Sequence, residues 1–237
     1  MLVKTKAIVL NALKYQEKSL IVKCFTHSDG LKSYFVPNAF AAKKSNQKIA
    51  YFQPLTILEI EATHKNKGTL EHFKEIRLAT PYNSVNTNIV KSTILIFLSE
   101  VLHYSIREEE KNEPLFDFLE SALIWLDNHD EIANFHLILL LEVTKFLGFY
   151  PDASEFDFPF FDVVDGNFTP LQGMNSLPEK DTFLLKKLIQ LKFDSNQKTF
   201  TAAERQLLLK ILLDYYAIHL DGFKKPKSLE VLKEVFS

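Results

Sequence analysis

The sequence predicts a β barrel of five strands, of the OB type, followed by an all-α domain. Apolar and polar residues alternate with a period of two in several segments of residues 1–80, which is typical of half-buried strands. After Thr80-Pro81 the period changes to about 3.6, which is typical of amphipathic helices. Strands and helices do not alternate, so the pattern gives no βαβ unit. We therefore expect two domains, residues 1–80 and 81–237.

Five segments of the first domain are rich in Val, Ile, Phe, Tyr and Thr, the residues that favour strands. They read AIVLNAL, SLIVKCFT, KSYFVP, YFQPLTILEIEAT and LEHFKEIRLAT. Turn-forming residues separate them at Ser28-Asp29-Gly30 and at 65–68. Because closure removes the exposed edges of a small sheet, an OB barrel is the predicted fold. An SH3-like barrel is the alternative.

The second domain contains six helical patterns and one segment that interrupts them. The interruption, at about 150–176, is rich in Phe and Asp, and Asp165-Gly166 in it predicts a small hairpin. Gly148 is the expected C-cap of the helix before it, and Ser84 the expected N-cap of the first helix. The predicted helices cover residues 84–106, 114–126, 131–147, 179–192, 201–220 and 228–236.

Charge is distributed unevenly along the chain. The whole protein has a formal charge of −2, yet residues 1–80 carry thirteen basic and six acidic residues, a charge of +7. Residues 81–237 therefore carry −9. Within the first domain, residues 30–58 contain four lysines and no carboxylate, with aromatic residues beside the lysines. This asymmetry indicates different partners for the two domains.

Motifs for catalysis or metal binding are missing from the sequence. There is no GxxxxGK[ST], GxGxxG or HExxH, and the seven histidines are scattered. Cys24 and His27 could form a nucleophile pair, but a cysteine inside an alternating strand is more simply a half-buried residue. The carboxylates of residues 152–165 could bind calcium, yet their spacing matches no EF-hand, which favours a solvated loop. We expect no enzyme activity, cofactor or metal.

The cellular setting is predicted from three features. One cysteine cannot form an internal disulfide, which indicates a reducing, cytoplasmic environment. The N-terminus lacks the shape of a signal peptide. The most apolar segment, at 94–102, is far shorter than the roughly 20 residues that span a bilayer. We expect a soluble protein without a membrane partner.

Lysines and aromatic residues of the barrel predict binding to single-stranded nucleic acid. Such binding needs cations that replace counterions and exposed rings that stack on bases. Many OB barrels use strands 2 and 3 together with the loops after strands 1 and 4. Two aromatic candidates could instead belong to the core, and the lysines could be an ordinary solvated surface. The predicted DNA-binding residues are Lys14, Lys18, Lys32, Tyr34, Phe40, Lys43, Lys44, Lys48, Lys65 and Lys67.

Several short motifs resemble the RecO family of bacterial recombination-mediator proteins when they are taken in order and spacing. Each is unspecific alone, but together they cover nearly the whole chain. They are Tyr15, Glu17, Phe25, Thr26 and Gly30 in the first three strands, then Gln53-Pro54-Leu55, Asn112-Glu113-Pro114-Leu115-Phe116, Phe146-Leu147-Gly148-Phe149-Tyr150-Pro151 and Lys227-Ser228-Leu229.

The resemblance implies a function that composition alone does not give. It implies an N-terminal OB fold, a helical C-terminal domain, and binding of single- and double-stranded DNA. It further implies strand annealing and help in loading recombinase onto DNA coated by single-stranded-DNA-binding protein (SSB), in the cytoplasm at the nucleoid. The implied partners are RecR and the acidic, Phe-ended tail of SSB. The rival reading is a protein–protein adaptor whose barrel binds no nucleic acid.

This chain departs from the family pattern at two places. Many members carry a four-cysteine zinc element after the Gly-x-x-Pro helix end, whereas residues 152–170 contain no cysteine. We expect a hairpin-like insertion there, held by packing of its phenylalanines. The loop after strand 3 usually carries Gly and Arg, but here it carries Lys43 and Lys44, which lack the bidentate guanidinium fork.

The SSB tail requires an apolar pocket with cations at its rim. Two helices of the second domain offer candidates, although helix packing is the alternative role of their apolar members. The candidate partner-binding residues are Leu141, Lys145, Phe149, Arg205 and Leu209.

Overall fold

The structure is a computed structural model, and it divides the chain into two compact units. The residues it describes are 1–40, 49–65, 69–107, 110–195 and 199–236. The first unit comprises residues 1–128 with 226–228, and the second comprises 129–225 with 229–237. The sheet and the two helices that follow it belong to the first unit, so the predicted domain boundary at residue 80 lies inside that unit.

One antiparallel sheet of five strands, in the order β3-β2-β1-β4-β5, forms the N-terminal part of the first unit. A single bridge connects its two edge strands: the amide of Glu71 donates to Ser33 O (2.8 Å), and the amide of Phe35 donates to Glu71 O (2.9 Å). The sheet is thus OB-like, as predicted, although it is not closed. The strands are β1 (Leu2–Tyr15), β2 (Ser19–Thr26), β3 (Gly30–Val36), β4 (Ile57–Thr63) and β5 (His72–Leu78).

The hairpin between β2 and β3 sets which side chains enter the barrel. Gly30 has φ 63°, a left-handed conformation that glycine adopts without strain. The turn pairs Thr26 with Gly30, and so Cys24 with Lys32 and Val22 with Tyr34. Burial raises the pKa of the Cys24 thiol far above its usual value, and the residue is fully buried rather than half-buried.

Two helices of the described residues follow the sheet in the first unit: α1 (Ile89–Ser105) and α2 (Glu113–Asn128). The predicted N-cap of α1 was wrong, because Asn88 accepts hydrogen bonds from the amides of Val90 and Lys91 instead. Ser84 has another role, since its amide and hydroxyl donate to Asp127 at the end of α2. Asp127 thereby fixes the linker that follows the sheet.

The second unit is helical, with a small hairpin between its first two helices. Gly148 has φ 84° and ends the first of these helices, as predicted. Thr201 and Glu204 form a capping box at the start of the longest helix. The elements are α3 (Phe135–Leu147), β6 (Phe160–Asp162), β7 (Asn167–Thr169), α4 (Glu179–Gln190), α5 (Ala202–His219) and α6 (Leu229–Val235).

Aromatic packing holds the hairpin that replaces the zinc element. Phe161 and Phe168 are both buried, with ring centroids 5.1 Å apart. A Cβ at Gly166 would lie 2.7 Å from the hydroxyl oxygen of Tyr215, so only glycine permits this close approach. The Lys186 ammonium donates to Phe158 O (2.7 Å) and lies 5.2 Å from the Phe168 ring centroid. The hairpin therefore rests on α4 and α5.

No group of three or more His, Cys, Asp or Glu side chains in the described ranges is arranged to hold a metal ion. No helix in the same ranges is long and apolar enough to cross a membrane.

Candidate nucleic-acid interface

The outward side of β1, β2 and β3 presents a surface of aromatic and basic side chains, which we call the β1–β3 face. Val22, Cys24 and Tyr34 point into the core, and successive side chains of a strand point to opposite sides. Lys23 and Phe35 therefore lie on the outer side. The face is defined by Tyr15, Lys23, Phe35 and Arg107, of which Arg107 follows α1.

The aromatic part of this face is partly open to solvent. The Tyr15 and Phe35 rings meet edge to face with centroids 6.1 Å apart, and Tyr15 is 43% exposed. On its other side, Phe35 meets His72 at 6.1 Å, again edge to face. Each ring keeps part of a π surface available for stacking.

The basic part of the face brings like charges together. Burial, and then repulsion from Arg107, lowers the pKa of Lys23. Burial, and then repulsion from Lys23, lowers the pKa of His103 to about 4. His103 Nε2 lies 3.4 Å from Asn11 Nδ2, and Asn11 pairs with Lys23 across the strands. The cluster therefore contains two basic side chains, Lys23 and Arg107, and an imidazole that is neutral at neutral pH.

Carboxylates do not neutralise the two cations within the described part of the chain. The Arg107 side chain donates from Nε to Tyr104 O (3.2 Å). Among the described residues, neither Lys23 nor Arg107 forms an ion pair with an Asp or Glu. A phosphate group is a suitable counterion for such a cluster.

Three of the predicted DNA-binding residues meet at the rim of the barrel. The Lys14 ammonium lies 5.6 Å from the centroid of the Phe40 ring, and the Phe40 amide donates to Lys18 O (3.2 Å). Phe40 is 38% exposed and lines a groove of about 370 Å³ together with Lys14. This rim cluster, Lys14, Lys18 and Phe40, combines the two chemistries that the sequence predicted.

Two other predicted residues lie on the wrong side of the sheet for this role. Tyr34 is completely buried, stacks on Phe73 at 4.0 Å, and has its hydroxyl 2.7 Å from His64 Nε2. A buried ring has no free face for a base, so the alternative core role is correct. Lys32 is only 7% exposed, because the hairpin register places it opposite Cys24.

Of the five remaining predicted DNA-binding residues, Lys65 belongs to the described part of the chain. Lys65 is exposed, and its backbone amide donates to the Glu71 carboxylate at 2.8 Å. The other four lie outside the described residues. They are Lys43, Lys44, Lys48 and Lys67.

The apolar residues among the SSB-tail candidates are buried in the second unit. Leu141, Phe149 and Leu209 are at most 9% exposed, so their alternative role in helix packing is correct. The Lys145 ammonium remains partly exposed, 2.6 Å from a Glu142 carboxylate oxygen and 4.5 Å from the Tyr150 ring centroid. Arg205 Nη1 donates to Phe200 O at 2.7 Å.

Sequence reasoning missed the four residues that define the β1–β3 face. For Lys23 a usable signal existed, because the Ser28-Asp29-Gly30 turn sets the hairpin register. Leu20, Val22 and Cys24 are apolar at every second position of β2, which places Lys23 on the other side of the strand. For Arg107 no signal existed, since it follows a helix that the sequence does not connect to the sheet.

Fold and face together define a protein of the OB type with a helical C-terminal part. The model of the family "Recombination protein O N terminal" matches residues 1–82, and that of "Recombination protein O C terminal" matches residues 86–230. The chain belongs to the RecO family of DNA repair proteins.

Curated relatives match the chain over its whole length. It is 71% identical over 238 residues to the DNA repair protein RecO of Flavobacterium psychrophilum. It is 67% identical over 237 residues to that of Flavobacterium johnsoniae and 44% identical over 238 residues to that of Christiangramia forsetii. In each case the match covers 100% of this chain and 100% of the relative.

Proposed function

We propose that this protein is a non-enzymatic, DNA-binding recombination mediator that anneals complementary strands. It would also help to load recombinase onto SSB-coated single strands in the bacterial cytoplasm. The observation that carries the proposal is the β1–β3 face, where Lys23 and Arg107 lack carboxylate partners among the described residues and share a surface with Tyr15 and Phe35.

The cations supply affinity for any sequence. Four described cations lie on the β1–β3 face or at the rim: Lys14, Lys18, Lys23 and Arg107. If each displaces the counterions of one phosphate, the logarithm of the binding constant falls with a slope of about −3.6 against the logarithm of salt. The affinity would then fall roughly a hundredfold between 50 and 200 mM salt.

The aromatic rings supply preference for unpaired bases. Stacking on aromatic side chains tolerates every base, because every base has a π face. Tyr15, Phe35 and Phe40 could hold single strands with their bases apart, while the cations reduce repulsion between two strands. These are the physical requirements of annealing without sequence selection.

The protein partners proposed here are RecR and the SSB tail. The names of the relatives, which place them in DNA repair, support a repair role. For the acidic tail we retain Lys145, whose exposed ammonium lies over Tyr150. Isothermal titration with the tail peptide would show weaker binding for Lys145→Ala, and unchanged binding would remove this residue from the proposal.

Annealing of complementary strands coated with SSB is the experiment that tests the proposed function. We expect the protein to accelerate duplex formation at 50 mM salt and to lose most of this effect at 200 mM. An adaptor that binds no nucleic acid would leave the annealing rate unchanged at both salt concentrations, and that result would reject the proposal.

A further inference from the structure

An apolar groove lies in the first unit where the edge strands β3 and β5 separate beyond their single bridge. Its volume is about 390 Å³, at the small end of the range for ligand sites. Four of the nine residues that line it are aromatic: Phe35, Tyr51, Phe52 and Phe73. We propose that this groove receives one unpaired nucleobase of a bound single strand.

The wall of the groove is suited to a flat ring. Phe73 lies between Tyr34 and Phe52 in a nearly parallel stack, with centroid distances of 4.0 and 5.8 Å and interplanar angles of 14° and 23°. Tyr34 and Phe52 cover the two faces of the Phe73 ring, and Phe73 is only partly buried, so the edge of its ring remains open to the groove. A planar ligand can meet this edge with its own face, in the edge-to-face geometry that aromatic pairs also prefer.

Charge at the groove favours a neutral occupant. Lys74 and Glu75 are its two charged lining residues. The Lys74 ammonium pairs with Glu61, and the Glu75 carboxylate lies 2.6 Å from Arg77 Nη2. Since both charges already have partners, the described residues of the groove offer no free cation to an acidic peptide. A nucleobase is neutral and planar, which matches the lining.

Phe35 connects the groove to the β1–β3 face. Its ring meets Tyr15 on that face and also lines the groove. A strand whose phosphates contact Lys23 can therefore direct a neighbouring base past Phe35 into the groove. This inference rests on the proposed function, because it requires a strand on the β1–β3 face.

The groove would distinguish unpaired bases from paired bases, rather than one base sequence from another. A base enters only after it leaves its stack and its pair, which costs least in single strands. The lining supplies few polar groups, so it reads the π face rather than the base edge. A captured base would hold a strand open for its complement.

The test compares three ligands of equal length: a thymidine oligonucleotide, a fully abasic oligonucleotide with the same phosphates, and a duplex. Fluorescence anisotropy would measure binding by the wild type, Tyr51→Ala and Ile76→Trp. Tyr51→Ala removes part of the lining, and Ile76→Trp fills the groove, so the two variants perturb packing in opposite directions. Tyr150→Ala, on a half-buried tyrosine of the second unit, is the matched control.

We expect the wild type to bind the thymidine strand at least about fivefold more tightly than the abasic strand. Both groove variants would reduce this preference severalfold and leave affinity for the abasic strand and the duplex unchanged. Tyr150→Ala would behave as the wild type.

Three outcomes would overturn the inference. If groove variants weaken all three ligands alike, Tyr51 and Ile76 act only through the fold. If the wild type binds thymidine and abasic strands equally, the groove takes another occupant, such as an apolar side chain of a partner protein, while the proposed function stands. If the wild type binds none of the ligands, the proposed function fails together with the groove.

Discussion

The two halves of the sheet present different outer surfaces to the solvent. On the half formed with β4 and β5, lysines of β1 pair with glutamates of β4: the register places Lys4 opposite Glu61 and Lys6 opposite Glu59. Arg77 of β5 in turn lies opposite Glu59. We call this the ladder face, and its charged residues are Lys4, Lys6, Glu59, Glu61, Lys74, Glu75 and Arg77.

For binding of a polyanion, we expect the position of a cation to matter more than the number of cations. Exposed ion pairs on the ladder face each contribute only about 0–1 kcal/mol to stability, but they satisfy the charges locally. A polyanion gains little by displacing a carboxylate that is already in place. On the β1–β3 face, Lys23 and Arg107 repel each other instead, so a phosphate relieves an unfavourable interaction.

Removing the two cations of the β1–β3 face should have the largest effect on DNA binding. Lys23→Ala with Arg107→Ala should weaken DNA binding about fiftyfold at 0.1 M salt and make the salt slope shallower by about 2. Lys4→Ala with Lys6→Ala removes the same charge from the ladder face and serves as the control, with less than about threefold effect expected. Equal losses of DNA affinity in the two double variants, measured by anisotropy over a salt series, would contradict the assignment of DNA binding to the β1–β3 face.

Removing the rim aromatic ring should have a smaller and more selective effect. Phe40→Ala is expected to weaken single-strand binding about fivefold or more and to leave duplex binding within about twofold, because only unpaired bases stack on the ring. Phe40→Tyr, which keeps the ring, is the control. A loss that is the same for duplex and single strand would show that Phe40 positions Lys14 rather than stacks.

Titration of His103 tests whether Lys23 lies close enough to lower its pKa, and we expect it to have little effect on DNA affinity. An ordinary histidine with pKa about 6.5 would add a cation to the face near pH 6, whereas His103, with its pKa lowered to about 4, stays neutral there. Lys23→Ala should raise this pKa because it removes a repelling charge. NMR titration of the imidazole checks both statements. A midpoint near pH 6.5 that is the same in the wild type and in Lys23→Ala would contradict them.

The same shift makes stability depend on pH in a defined direction. Between about pH 6.5 and 4 the unfolded chain binds a proton at position 103 that the folded protein does not, so the free energy of unfolding falls as the pH falls. Since this side chain is partly exposed, we expect a contribution of about 1–2 kcal/mol. Urea unfolding of the wild type and His103→Gln over this pH range should show a weaker pH dependence in the variant.

Releasing cations on the ladder face is the smallest expected effect. Glu61→Gln removes the carboxylate that contacts both Lys4 and Lys74. Stability should change by less than about 1 kcal/mol, and DNA affinity should rise by no more than about threefold. A large gain in affinity would mean that carboxylates alone keep DNA from this face.

The elements of the fold could be predicted from the sequence because apolar periodicity and turn residues depend on short stretches of the chain. The five strands, the hairpin at Asp165-Gly166 and the C-cap at Gly148 each depend on neighbouring residues. The start of α1 was predicted incorrectly because Ser84 makes its hydrogen bonds with Asp127, a partner 43 residues away. Such distant partners leave no periodic signal.

The site was only partly predictable for a related reason. Lys14, Lys18 and Phe40 were proposed because lysines and aromatic residues in predicted barrel loops are informative by type, and their role in DNA binding stays a prediction. Tyr34 was misplaced because β3 alternates without a clear apolar side, so its orientation depends on the register with β2. Arg107 reaches the face through tertiary packing alone.

Mapping the bound strand on the folded protein tests most directly whether DNA binds to the β1–β3 face rather than to the ladder face. Backbone amide shifts would be recorded by NMR as a short thymidine oligonucleotide is added at low salt. We expect the largest shift changes at Tyr15, Lys23, Phe35 and Arg107, and almost none at Glu59 and Arg77. Changes centred on the ladder face, or spread evenly over both faces, would contradict it.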